Sequence, residues 1–459
     1  MRVTIQNASI VIPHKDLILN HSSMIIENGL IIKIAEGVKY SYDPKANTII
    51  DAKGGFLIPG IINHHAHAVS LGPLFSAGNP APPMELIISN LNKHLLHGTT
   101  TILNEDGFAT IEETEIMNKL HPIKIKSATS HTPLNIQAAE ITDGTGLNYF
   151  HKELTVKTML ERGAVALGEI GGGDTLGGGG ACYNLLPKTV EAKTGKRINA
   201  SEAEKLMWAV LGRYIDISVT DREKVDMVLE EIGLKGLISI DDAINIILKD
   251  VYAPVKTGRD GIREAADLAL QYDMPVVIHN AAGCKEVVFE VAEKLGSKLI
   301  AAHSSHPSFT KDEIVENIKK LKSFGAIIDV CCGDYFGAKN LCPPEYLDIA
   351  LNLIEEGLVD LISTDFMAGN WDPIILFIEE AVNKKKITLT KALVMTSCNV
   401  VKTIPKLATN TGFIEEGKAA DLVVLEPDTI SKVQHVLIDG IPVVSNGQIK
   451  APKANWLWY

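Results

Sequence analysis

The segment PGIINHHAHAV, at positions 59–69, contains the residues whose types and spacing first suggest chemistry. If this segment forms a strand, residues i and i+2 project from the same face, so His65 and His67 point together and His64 points to the opposite side. Two imidazoles on one face provide half of a metal site of the zinc type. Three packed histidines without a metal are the alternative for this segment considered alone.

Four other polar residues stand where apolar runs end. The runs are AVALGEIGGG, MPVVIHNAAG, KLIAAHSSH and DLISTDF, and the residues are Glu169, His279, His303 and Asp365. An isolated ionisable side chain is costly to bury without a partner, and imidazoles and carboxylates are typical zinc ligands. Each residue alone has an ordinary structural explanation as a satisfied polar side chain. Five strand ends that all offer ligands favour one shared metal centre.

The elements that must position these residues alternate regularly in the middle of the chain. Short buried strands are predicted in TTTILNED, KIKSATSH and FGAIIDVCCG as well as in the four runs above, and amphipathic helices such as DGIREAADLALQYD and TKDEIVENIKKLKSFG lie between several of them. Repeated strand–helix units favour a parallel sheet, most economically a (β/α)8 TIM barrel. The carboxyl ends of the barrel strands would then bring the candidate ligands together at one mouth.

Both ends of the chain are predicted to form one small β-sandwich. Short β runs occur in VTIQNASIVI, SMIIENGLIIKIA and TIIDAKGGFLIPG near the start, and in GFIEEGKAADLVVLEP and KVQHVLIDGIPVVSNGQ near the end. We therefore expect an α/β protein with a β-sandwich domain at 1–58 plus 405–459 and a metal-binding barrel at 59–404.

A helical insertion is predicted at about 174–260, after the fourth barrel strand. It starts with the Gly-rich loop DTLGGGGACYN and contains SEAEKLMWAVLGRY, DREKVDMVLEEIG and SIDDAINIILKDVY, which have helical periodicity. In a barrel, this position lies over the mouth where active sites are found. The Gly-rich loop matches neither a P-loop nor a GxGxxG helix entry, so we interpret it as a flexible loop at the mouth.

Together these features resemble the amidohydrolase superfamily, whose barrel sits beside a β-sandwich made from both chain ends. The family's ligands are a His-x-His pair after strand 1, a bridging carboxylate after strand 4, histidines after strands 5 and 6, and an aspartate after strand 8. In this sequence they fall on His65, His67, Glu169, His279, His303 and Asp365. The closing segment TGFIEEGKAADLVVLEP also resembles the family's return into the sandwich.

Two positions depart from the common family pattern. Asn63 stands where the family usually has an aspartate before His-x-His, and Glu169 stands where many members have a carbamylated lysine. The glutamate variant is similar to enamidase and, more loosely, to adenine deaminases. The segment VLIDGIPVVSNGQIKAP also looks enamidase-like, whereas the helical insertion does not belong to that pattern.

The resemblance implies a binuclear metal centre that binds two divalent metal ions, with zinc expected and iron or manganese as alternatives. In the implied assignment, one ion is bound by His65, His67 and Asp365. The other ion is bound by His279 and His303, and Glu169 bridges the two ions. The ions would activate a metal-bridging hydroxide, and Asp365 would be the catalytic proton shuttle.

The activity implied is hydrolysis of a cyclic amide, lactam-like or heterocyclic, in a small-molecule substrate. An adenine deaminase-like aminohydrolase would use the same water, so release of ammonia would separate that alternative from ring opening. A non-catalytic scaffold of the same fold is a third alternative, which metal analysis of the purified protein would test.

Three residues are weaker candidates for substrate contacts. His131 ends the strand predicted in KIKSATSH, His306 follows the metal segment in AHSSHPSF, and Cys332 ends the strand in IIDVCCG. The alternative for His131 is a histidine at the rim or behind the ligands. Vicinal cysteines are more often packed thiols than ligands, which is the alternative for Cys332.

Composition limits the partners and the cellular location. The net charge of −12 without a basic block argues against nucleic-acid binding and against a polybasic membrane anchor. No apolar run is long enough for a membrane span. The first residues are typical of a β-strand and do not resemble a signal peptide. Six cysteines without a CxxC pair are consistent with a reduced, cytoplasmic protein. We also expect a homo-oligomer, in which Trp456 and Trp458 of the tail could dock on a neighbouring subunit.

Overall fold

The computed structural model describes residues 1–40, 45, 46, 48–336, 344–366 and 369–450. Cys342, Trp456 and Trp458 lie outside these residues. The strands are β1 (Arg2–Ile12), β2 (Leu17–Glu27), β3 (Leu30–Ala35), β4 (Thr48–Asp51), β5 (Phe56–Pro59), β6 (Ile61–Ala66), β7 (Thr99–Asn104), β8 (Lys124–Thr129), β9 (Ala166–Ile170), β10 (Val276–His279), β11 (Leu299–Ala302), β12 (Ile327–Cys331), β13 (Leu361–Ser363), β14 (Leu422–Leu425), β15 (Val433–Ile438), β16 (Ile441–Ser445) and β17 (Gln448–Ile449).

The α-helices surround and interrupt the strand series. They are α1 (Met84–Leu96), α2 (Ile111–Leu120), α3 (Pro133–Thr142), α4 (Tyr149–Glu153), α5 (Val156–Arg162), α6 (Leu186–Thr194), α7 (Ala200–Leu211), α8 (Arg222–Glu231), α9 (Ile240–Ile247), α10 (Ala253–Gln271), α11 (Lys285–Leu295), α12 (Lys311–Ser323), α13 (Pro344–Glu355), α14 (Ile374–Asn383), α15 (Leu389–Met395) and α16 (Cys398–Thr403). None of the described helices has the length and hydropathy that a membrane span requires.

Strands β6 to β13 form an eight-stranded parallel sheet in sequence order, which confirms the predicted barrel. Their side chains are almost all buried, as expected for parallel strands covered by helices on one face and filled by side chains on the other. The first and last strands meet through Asn63, whose Nδ2 donates to Thr364 Oγ1 at 2.8 Å. The Asn63 Oδ1 in turn accepts from the Thr364 amide at 3.3 Å. Asn63, one of the two residues that depart from the common family pattern, therefore connects the two edges of the barrel.

The two chain ends join in one β domain, as predicted, and the strands of the expected β-sandwich belong to one mixed sheet of nine strands. Its strand order is β17-β16-β15-β14-β5-β1-β2-β3, and β4 pairs with β1. The join between the two ends is the antiparallel pair of β5 and β14, in which Leu57 lies opposite Val424. A separate apolar cluster, including Ile5, Ile10 and Leu437, stabilises this sheet.

Helices α6 to α10 lie between β9 and β10. Helices α6 to α9 pack on one another through a separate apolar cluster. Helix α7 starts with a capping box, in which Asn199 accepts from the Glu202 amide and Glu202 accepts from the Asn199 amide. Helix α9, residues 248–252 and helix α10 follow one another without a break. Gly261, just after the predicted end of the insertion at about 260, lies buried inside α10. A side chain there would approach Asn135, so glycine allows α10 to pack closely on α3.

Candidate metal centre

The six candidate ligands lie at the carboxyl ends of five barrel strands. They are His65 in β6, His67 directly after it, Glu169 in β9, His279 at the end of β10, His303 directly after β11 and Asp365 two residues after β13. Five of them are buried, and Asp365 is partly exposed. Parallel strands in a closed sheet present these ends at one mouth, which brings residues 300 positions apart in sequence into contact.

The first group of ligand atoms consists of His65, His67 and Asp365. The Nε2 atoms of the two histidines are 3.2 Å apart. Asp365 Oδ1 lies 3.6 Å from His67 Nε2 and 3.9 Å from His65 Nε2. The backbone fixes the aspartate, since its amide donates to the His65 carbonyl at 3.0 Å and the Phe366 amide donates to its Oδ1 at 2.7 Å.

The second group consists of Glu169, His279 and His303. Glu169 Oε1 lies 3.1 Å from His279 Nδ1 and 3.1 Å from His303 Nε2. The other oxygen, Oε2, faces the first group at 3.5 Å from His67 Nε2 and 4.0 Å from His65 Nε2. One carboxylate therefore reaches both groups, with a different oxygen toward each.

The charges of these residues fit a cation between them. Burial raises the pKa of Glu169, but hydrogen bonds with His279 and His303 outweigh it and hold this pKa well below its usual range. Burial likewise raises the pKa of Asp365, and the neighbouring imidazoles of His65 and His303 outweigh it and lower this pKa. Burial lowers the pKa of His65 to about 4, which keeps its ring neutral. Ionised carboxylates and a neutral imidazole are the forms in which these groups bind a metal.

His67 differs from His65 because a carboxylate lies behind it. Burial lowers the pKa of His67, but Asp106 outweighs burial and raises it well above the usual value. A proton on His67 thus supplies positive charge next to Glu169 and Asp365, the charge that a divalent ion would supply in its place. The donor set of imidazole nitrogens and carboxylate oxygens fits zinc, iron or manganese.

Asp106, which follows β7, orients His67 and was missed by the sequence analysis. Its Oδ1 accepts from His67 Nδ1 at 2.7 Å and from the Phe75 amide at 3.0 Å, and its Oδ2 accepts from the Ala68 amide at 2.9 Å. Such a carboxylate fixes the tautomer and the direction of a ligating imidazole. The polar end of the run TTTILNED carries the signal that could have identified it.

His64 belongs to neither ligand group. Its Nε2 lies 3.2 Å from Asp329 Oδ1, and both side chains are completely buried. Asp329 Oδ2 accepts from the His303 amide and from Ser363 Oγ, both at 2.9 Å. Asp329, a single charge within the apolar run of β12, thereby positions the backbone of a candidate ligand.

The three weaker candidates occupy different places. His306 lines the cavity next to the ligands, 5.4 Å from His279 between ring centroids. His131 is buried, with its Nδ1 3.0 Å from Thr129 Oγ1 and its ring against Phe108. Cys332 is completely buried, and burial raises the pKa of its thiol well above the usual value. Neither His131 nor Cys332 is among the described residues that line the cavity.

A cavity of about 460 Å³ opens above the two ligand groups. Its walls come from the loop after β6, from the Gly-rich loop and from the start of the helical insertion. The lining includes, besides the candidate ligands, Leu74, Phe75, Ser76, Asn79, Asp143, Gly172, Asp174, Tyr183, Asn184, Lys188 and Phe366. Phe75 and Phe366 lie 5.9 Å apart between ring centroids and form an apolar wall beside the ligands.

The arginines Arg259 and Arg263 do not face this cavity. Arg259 donates to the backbone carbonyls of Gly283 and Tyr214, and Arg263 pairs with Glu290. Arg259 therefore connects a helix to loops, and Arg263 connects helix α10 to helix α11.

The chain is similar to known proteins in sequence and in fold. The amidohydrolase family model matches residues 235–449. The chain is 23% identical to the imidazolonepropionase of Treponema denticola, over 95% of this chain and 93% of that protein. It is 22% identical to the dihydroorotase of Clostridioides difficile, over 93% of this chain and 90% of that protein. Its fold is similar to the crystal structure of the β-aspartyl dipeptidase from Fervidobacterium islandicum AW-1, with a TM-score of 0.57, 17% identity and 99% of both chains covered.

The family match covers the second half of the barrel and the return to the mixed sheet, and the two enzyme relatives span nearly the whole chain. The solved structure extends the similarity in fold over both sheets. The similarity to enamidase stays a prediction. Over residues 235–449 the chain matches the amidohydrolase family, and over nearly its whole length it is similar to enzymes of the amidohydrolase superfamily.

Proposed function

We propose that the protein is a metal-dependent hydrolase that opens a cyclic amide in a small-molecule substrate. The observation that carries this proposal is the position of Glu169, which directs one carboxylate oxygen to each of two ligand groups. A shared carboxylate between two histidine-containing groups is suited to two divalent ions held close together. The cavity directly above them is of the size that small-molecule sites have.

The relatives support the choice of a ring as substrate. They are named for imidazolonepropionate and dihydroorotate, both of which contain an amide within a nitrogen ring. Phe75 and Phe366 offer this chain's cavity an apolar wall against which a flat or puckered ring can pack.

The assignment of ligands follows the two groups of atoms. His65, His67 and Asp365 would hold one ion, His279 and His303 the other, and Glu169 would contact both. Bound divalent ions lower the pKa of water and polarise the scissile carbonyl. We propose zinc, with iron or manganese as alternatives, and metal analysis of the purified protein distinguishes them.

Asp365 is the residue that would move the proton. Its carboxylate is ionised, partly exposed to the cavity, and oriented by the Phe366 amide. It can accept a proton from the attacking water and donate it to the ring nitrogen as the carbon–nitrogen bond breaks. The water oxygen ends in a new carboxyl group, and the nitrogen leaves the carbonyl carbon as an amine or amide.

The test is ring opening by the enzyme loaded with zinc, manganese or iron. Hydantoin, dihydrouracil and simple lactams are incubated with each form, and the ring-opened acid is quantified by chromatography and mass spectrometry. We expect activity with at least one ring, and a loss of at least about 100-fold in kcat when Asp365→Asn removes the proton carrier. Glu169→Ala should lose metal as well as activity.

Two controls make the test decisive. The exposed substitution Glu316→Gln, on α12 and outside both ligand groups and the cavity lining, should behave as wild type. Full activity in a metal-free Glu169→Ala protein would contradict the proposal. Release of free ammonia from an aminopurine, without ring opening of any cyclic amide, would replace it with deamination.

A further inference from the structure

The wall that the helical insertion adds to the cavity carries a cation. Lys188, an exposed residue of α6, is the one lysine or arginine among the described residues that line the cavity. The acidic lining residues are Asp143, Glu169, Asp174 and Asp365. Glu169 and Asp365 belong to the ligand groups, and Asp143 accepts from Asn79 Nδ2 at 2.6 Å.

Lys188 differs from the neighbouring cations in having no partner. Arg213 makes a two-point contact with Glu313, at 2.7 and 3.0 Å, and Lys193 on the same helix contacts Asp242 at 2.6 Å. Within the described part of the chain, the Lys188 ammonium makes neither an ion pair nor a hydrogen bond. It is therefore available to a ligand in the cavity.

Asp174 in the Gly-rich loop is an acidic residue of the cavity on whose pKa the charge of Lys188 acts. Asp174 is buried, with 7% of its surface exposed, and its Oδ1 has no hydrogen-bond partner among the described residues. Burial, and then the charge of Asp143, raise the pKa of Asp174 to about 7, while Lys188 acts to lower it. This carboxyl group is thus only partly ionised at neutral pH and does not neutralise the lysine.

We propose that Lys188 binds a carboxylate of the substrate, one that is separate from the ring amide to be hydrolysed. The inference rests on the proposed function, because it assigns a substrate class to the same cavity. Metal ions would add positive charge at the ligand groups, and Lys188 is the one lysine or arginine among the described lining residues. A substrate with a cyclic amide at the ligands and an anionic substituent at Lys188 matches both positions in charge.

The test compares ligands that differ only in this charge. The probes are dihydroorotate with its carboxamide, and hydantoin-5-acetate with hydantoin-5-acetamide. Their dissociation constants for the metal-loaded protein are measured by calorimetry at low and high salt. An exposed ion pair contributes modestly, so we expect the acid of at least one pair to bind about fivefold more tightly than the amide at low salt. Screening should reduce this ratio at high salt.

Variants then identify the residue responsible. Lys188→Met should bring the ratio of acid to amide affinity to about one, and Lys188→Arg should retain most of it. Lys193→Met, a matched change on the same helix, should leave the ratio at the wild-type value. A ratio of one for both pairs in the wild type overturns the proposal, and so does an acid preference that survives Lys188→Met, since the metal ions alone would then explain it.

Ring opening of the uncharged compounds hydantoin and dihydrouracil is measured in parallel. Hydrolysis without any acid preference would contradict the role of Lys188 and leave the proposed function standing. A Lys188-dependent acid preference without hydrolysis of any ring would contradict the proposed function and support the anion site.

Discussion

The substitution Asp106→Asn tests whether the carboxylate behind His67 prepares the metal centre. Asp106 accepts three hydrogen bonds, two at Oδ1 from His67 Nδ1 and the Phe75 amide, and one at Oδ2 from the Ala68 amide. The asparagine amide keeps one acceptor oxygen and places an NH2 group at the other position. In one orientation the bond to Ala68 is lost, and in the other the bonds to His67 and Phe75 are lost.

The expected losses of stability and of metal affinity follow from the hydrogen bonds that Asp106→Asn removes. A buried hydrogen bond to a charged group contributes about 1.5–3 kcal/mol, so the better orientation should lower the free energy of unfolding by about that amount. Loss of an outer carboxylate behind a ligating histidine typically weakens metal binding about 10- to 100-fold. We therefore expect Asp106→Asn to bind metal about 10- to 100-fold more weakly and to recover activity when excess metal is added.

The assay is a metal competition titration with a chelating dye, combined with urea unfolding. Asp143→Asn is the matched control, because Asp143 lines the same cavity but accepts from Asn79 and contacts none of the candidate ligands. Wild-type metal affinity in Asp106→Asn, or an equal loss in Asp143→Asn, would refute the orienting role of Asp106.

Two further predictions concern a buried carboxyl group and an interdomain contact. Folding raises the pKa of Asp174 from 3.8 to about 7, so the folded state binds the proton more tightly than the unfolded state. As the pH rises between these two values, the free energy of unfolding should fall by about 1.4 kcal/mol per pH unit. Asp174→Asn removes this loss, so urea unfolding should show it more stable than wild type at pH 8 and similar at pH 4; equal stability at both pH values would contradict this prediction. Arg213 connects the insertion to Glu313 at the start of α12. Arg213→Ala should increase limited proteolysis within 181–255, whereas Arg263→Ala, which breaks a comparable pair with Glu290, should not; equal cleavage in both variants would count against the connection.

The repeated apolar runs predict the barrel, because a strand buried on both faces needs a continuous apolar sequence wherever it occurs. The same runs show where polar residues must meet, so the positions of Glu169 and His303 follow from sequence and topology together. The partners behind them do not, since the contact of Asp106 with His67 depends on how the loop after β6 folds back to place the Phe75 amide. Lys188 shows the other limit, because helical periodicity predicts the insertion but does not fix which exposed lysine faces the cavity.

The pairing of β5 with β14 has a consequence for synthesis of the chain. The first five strands leave the ribosome early, but the strand that completes their sheet follows only after the whole barrel has been made. Until then the edge of β5 presents unpaired amide and carbonyl groups to the solvent. Residues 422–425 pair with this edge only late in translation. Until then the nascent protein must avoid pairing of the exposed strand edge with other chains.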